Sequence, residues 1–104
     1  MIQEDYVSRE IYNLLKEKGY DGEFKTCHDI EGYTYTAIHL YDAMKWLREV
    51  HNIFIQVELY SKYNNYCFEL FQNTHRLPMG HREIYNSPEE ACEAAIKYCL
   101  EKLI

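Results

Sequence analysis

The sequence predicts an α+β domain: an antiparallel sheet of three or more strands with helices packed on one face. Three observations predict it. Apolar residues recur at helical spacing over LYDAMKWLREVHN, and the period then drops to two over IFIQVELY and YCFELF. A helix-start signal, Ser87-Pro88-Glu89-Glu90, opens a last apolar-striped segment. A hairpin with one oily face needs a helix to cover it, and one stands directly before it in the chain.

From the N-terminus, residues 4–18 read as a helix with Val7, Ile11, Leu14 and Leu15 on one face. Glu4 and Asp5 stand at its positive end and Lys16 and Lys18 at its negative end, as the helix dipole favours. Gly19 suits the residue after the last turn, with Tyr20 folding back onto the helix. Residues 21–39 form a variable segment. Within it, 24–27 and 33–36 have strand composition around Asp29-Ile30-Glu31-Gly32, which fits either a small hairpin or a mobile loop. This segment is a natural place for function, because loops carry function on rigid scaffolds.

The second helix, 40–51, carries Leu40, Ala43, Met44, Leu47 and Val50 as its stripe, with Trp46 at the edge. It should stop near Asn52, which tolerates the left-handed conformation. In strand 53–60, Ile53, Ile55, Val57 and Leu59 point one way and Phe54, Gln56, Glu58 and Tyr60 the other. After a polar turn at 61–65, strand 66–71 sets Tyr66, Phe68 and Leu70 against Cys67, Glu69 and Phe71. Residues 72–80 read as a loop holding Pro78 and Gly80, and 82–86 could supply a short third strand. In the capping box, Ser87 caps, Pro88 starts the helix, and Glu90 reaches back to the cap. The helix that follows, 88–103, buries Cys92, Ala95, Ile96, Cys99 and Leu103.

A chain of 104 residues is one domain, long enough to bury about two-thirds of its unfolded surface. Hydrophobic content of 47% with 27% charged residues is globular composition. No run of about 18 apolar residues exists to span a membrane. The acidic start MIQEDYVSRE lacks a signal core, so the expected setting is cytoplasmic, with four cysteines as free thiols. Net charge is −6 and the basic residues are scattered singly, which ranks nucleic acid below protein as a partner.

No metal or cofactor is expected. Cys27-His28 and the pair His75 and His81 lack the spacing by which structural zinc sites announce themselves. No phosphate loop or nucleophile motif is present, and Glu58 facing Glu69 reads as two solvated carboxylates, so the expectation is a non-enzyme. Eleven tyrosines, several clustered on strands and turns, supply the area and single hydrogen bond that suit partner surfaces. The candidate interaction surface is Phe54, Tyr60, Tyr63, Phe71, Tyr33 and Tyr35. The expected partner is another protein, a second copy of this chain included.

From residue 40 onward, the order helix–strand–strand–(strand)–helix and the apolar spacing Ala91, Ala94, Ala95, Ile96, Cys99, Leu100 and Leu103 resemble the double-stranded RNA-binding domain. That family sets lysines at the start of its last helix, where this chain has Pro88, Glu89 and Glu90. The resemblance therefore implies the fold and argues against the activity. The stretches SREIYNLLKEKGYDGE, AMKWLREVHNIFIQV and SPEEACEAAIKYCLEKLI resemble a group of small uncharacterised proteins of gut bacteria of the Bacteroides group and their phages and mobile elements. In that group a Thr or Ser helix cap is usual where this chain has His39.

Overall fold

The computed structural model describes residues 6–61, 65–78 and 83–104. Among the described residues, three helices and two antiparallel sheets make up the α+β fold. Helix α1 (Arg9–Glu17) leads into the hairpin of β1 (Lys25–His28) and β2 (Thr34–Ala37). Helix α2 (Leu40–His51) then feeds the sheet β3–β4–β5 (Ile53–Ser61, Asn65–Gln72, His75–Arg76), and α3 (Pro88–Tyr98) closes the domain. A wider π-type turn, Cys99–Leu103, extends α3.

Helix α1 starts at Arg9, because Ser8 caps it by accepting from the Ile11 amide at 3.3 Å. The chain just before the cap is extended, with the Val7 amide donating to the Ile38 carbonyl at 2.9 Å. Glu4 and Asp5, read as part of this helix, lie outside the described residues. At the other end Gly19 sits at φ 90°, which costs glycine nothing. The Tyr20 amide donates to the Leu15 carbonyl and the Gly19 amide to that of Lys16, the double bond pattern of a Schellman end. That pattern turns Tyr20 back into the core.

Helix α2 is capped by His39, whose Nδ1 accepts from the Tyr41 amide at 3.1 Å. Its buried face is Leu40, Ala43, Trp46 and Leu47, so the stripe is rotated from the predicted one. Val50 is exposed and Trp46 is buried. The indole decides this: it packs on Tyr20, and its N–H donates to Asp21 Oδ1 at 2.9 Å. Asn52 then ends the helix at φ 55° and Ile53 begins β3 with no linker.

The register pairs Ile53 with Gln72, Ile55 with Leu70, Val57 with Phe68 and Leu59 with Tyr66 on the face toward the helices. Ile53 and Leu70 are wholly buried there against Leu47, Ile96 and Leu100. Leu59, read as a member of the buried stripe, is 58% exposed, since it lies beyond the reach of the helix layer.

Among the described residues the third strand of this sheet is His75–Arg76, where the sequence suggested loop. A two-residue turn, Asn73-Thr74, has both residues at positive φ, the geometry that matches strand twist. Of the predicted 82–86, Arg82 lies outside the described residues, and among 83–86 Tyr85 pairs in a single bridge to Tyr66. The expected reach-back of Glu90 also shifts by one residue: Glu90 accepts from the Asn86 amide, while Ser87 Oγ accepts from the Glu90 amide.

Two predictions follow from this packing. Thr74 holds φ 68° with a β-branched side chain, a conformation costly for such residues. Thr74→Gly should therefore raise unfolding stability by about 1 kcal/mol in urea titrations. Cys99 is wholly buried, and burial pushes its thiol up from 9.0 to about 12. The unfolded chain then ionises this thiol before the folded one does. Stability should fall as pH rises from about 9 toward 12, and Cys99→Ala should flatten that decline in denaturation midpoints measured across the range.

Candidate interaction surface

The variable segment is a hairpin arm. Its register runs Lys25–Ala37, Thr26–Thr36, Cys27–Tyr35 and His28–Thr34. Asp29 builds the tip: its Oδ1 accepts from the Glu31 and Tyr33 amides at 2.9 Å each, and its carbonyl accepts from Gly32 at 3.0 Å. Gly32 takes φ 90°, the left-handed position a three-residue hairpin loop requires. This loop thrusts Ile30 outward, fully exposed.

The root of the arm is fixed on two sides. Ala37 and Ile38 are buried, and Thr36 is held on α1 by Tyr12 Oη to its Oγ1 at 2.6 Å and by Arg9 Nη2 donating to its carbonyl at 3.2 Å. Just before β1, Phe24 meets the rings of Tyr12 and Tyr20 edge-on. Tyr20 is buried and its hydroxyl donates to the Glu23 carbonyl at 2.7 Å. Burial, aided by the nearby Asp42, Glu23 and Asp21 carboxylates, pushes this phenol well above its ordinary value.

The six residues of the predicted surface divide between two places. Tyr33 (69% exposed), just before β2, and Tyr35 (44%), within it, both stand exposed on the arm. Phe54 and Phe71 form a directly opposed pair on the sheet face away from the helices, and Arg76 on β5 continues that row. Tyr60 is exposed, but a bulge between Leu59 and Ser61 leaves it without an opposite residue in β4. Tyr63 lies outside the described residues. Ile30 was missed by sequence reasoning, although Asp29-x-x-Gly32 signalled a turn and so a protruding residue within it.

Glu58 and Glu69 do not face each other. Glu58 stands opposite Cys67 and Glu69 opposite Gln56, and Arg76 Nη1 approaches Glu69 Oε1 at 3.9 Å. Cys27 and His28 are successive strand residues, so their side chains leave opposite faces and do not converge on one ion. Among the described residues no group of three His, Cys, Asp or Glu is placed to hold a metal. No described helix is long and apolar enough to cross a membrane. No family model, curated protein or solved structure matches this chain.

These exposures set an order of reactivity. Under limiting nitration, peptide mapping should find Tyr33 modified first among the arm and core tyrosines. Tyr20 should be modified last, because the reagent needs an accessible and ionisable phenol.

Proposed function

We propose that this protein is a non-enzymatic accessory protein that binds another protein through the β1–β2 arm, in the cytoplasm of a cell carrying a phage or mobile element. The observation that carries the reading is the arm itself. Ile30, Tyr33 and Tyr35 stand exposed on a hairpin whose root is pinned by Thr36, Phe24 and Asp21. A pinned arm presents apolar contact area at small ordering cost, and tyrosine and isoleucine supply that area. The outer-face pair Phe54 and Phe71 offers a second apolar patch on the sheet. The cytoplasmic setting is supported by Cys27 and Cys99 as free thiols, the redox state that compartment maintains. The origin in phages or mobile elements rests on the sequence resemblance alone.

A second reading is a nucleic-acid-associated protein, favoured by the order α2–β3–β4–β5–α3. Against it stand Glu89 and Glu90 in the first turn of α3, which repel phosphate.

The test is an affinity pull-down of the tagged chain from host lysate, with and without nuclease. The expected result is a protein partner that survives nuclease and is lost with the triple change Ile30→Ser, Tyr33→Ser and Tyr35→Ser. These side chains are exposed, so the triple variant should keep its unfolding stability within about 1 kcal/mol. Recovery that depends on intact nucleic acid, or a partner indifferent to the arm, overturns the proposal.

A further inference from the structure

Strand β3 is the outer strand of the larger sheet, nine residues long, and among the described residues no strand pairs with its free side. The ladder fixes which of its backbone groups face that side. In β4, Tyr66 exchanges both backbone bonds with Tyr85, and the Leu70 carbonyl accepts from Leu77. Residues 66 and 70 therefore direct their backbone groups away from β3. Their partners Leu59 and Ile55, with Val57 between them, direct their own N–H and C=O outward, to the open edge. Of the usual edge guards, Lys and Pro are missing from IFIQVELYS, and its one charge is Glu58.

We propose that this edge pairs antiparallel with the same edge of a second copy, about a two-fold axis at Val57, giving one continuous sheet across a dimer. Backbone phase allows only registers that set odd residues against odd and even against even. Among these, the axis at Val57 places Ile55 opposite Leu59 of the second copy and Gln56 opposite its Glu58. Leu59, 58% exposed in one copy, gains an apolar neighbour, and each carboxylate meets an amide. An axis at Glu58 sets two carboxylates face to face, and an axis at Gln56 sets Phe54 against Glu58. The interface is isologous, as two-fold dimers require. It lies apart from the arm, so it stands or falls independently of the function proposed above.

Analytical ultracentrifugation of the full chain over a concentration series reads the outcome. The expected species has twice the 12.6 kDa chain mass. Leu59→Lys puts a charge on the shared face at a side chain that one copy leaves exposed, and should weaken the dimer roughly 30-fold or more. Val57→Pro removes an amide used only across the edge and should give a folded monomer, checked by circular dichroism. Gln56→Lys tests the register: it faces Glu58 of the second copy twice and should tighten the dimer roughly fivefold. A monomer at every concentration, or a dimer indifferent to Leu59→Lys, overturns the proposal. A weaker dimer with Gln56→Lys overturns the Val57 axis.

Discussion

Helix α2 passes into strand β3 through one residue, Asn52, held in the left-handed conformation at φ 55°. Because no linker intervenes, the rotation of the helix sets the phase of the strand. With Leu47 turned inward, Ile53 is the first residue to face the helices, and every second residue follows it. A slip of one position would turn that whole row to solvent. The joint is braced by the residue directly opposite it at the same end of the sheet: the Asn52 side-chain amide donates to Asn73 Oδ1 at 2.9 Å, and the Asn73 amide donates to the Asn52 carbonyl at 3.3 Å. Two left-handed asparagines thus tie the end of the helix to the β4–β5 turn. The buried contacts of Ile53 and Leu70 with Leu47 and Ile96 depend on that tie.

Much of this was legible in the sequence where one physical signal acted alone. The change of period at Asn52, the Ser87-Pro88 cap and the Gly19 helix end each have a local cause, and the structure has each feature at that place. What could not be read depends on partners distant in sequence. Val50 and Trp46 exchange exposure because an indole finds Tyr20 and Asp21, more than twenty residues away. The third strand hid in His75–Arg76 because its turn uses Asn-Thr, where Asn-Gly would have been a strong signal. Residues 21–39 stayed ambiguous because the hairpin owes its order to Tyr12, Arg9 and Phe24 as much as to its own strands. On the candidate surface, alternation placed Phe54 and Phe71 on one face, whereas the bulge at Tyr60 leaves no trace in composition.

The two exposed features differ in kind. The arm offers side chains on a held scaffold, with Asp29 spent on building the tip. The β3 edge offers backbone groups, and its side chains only choose the register. An acidic chain has reason to divide the roles this way, because backbone pairing gains affinity without bringing like charges into contact. Carboxylates at Glu89 and Glu90 stay with the helix start they stabilise.

Trp46 is the chain's single tryptophan, and its placement has an optical consequence. Its indole sits where the segment leading to the arm meets α2, between the Tyr20 and His51 rings, with its N–H bound to a carboxylate. Ring nitrogens, phenols and carboxylates all act on an excited indole. The emission of this one fluorophore therefore reports the seating of the Asp21 segment, and through it the attachment of the arm. The molecule carries its own gauge, at the joint between scaffold and appendage.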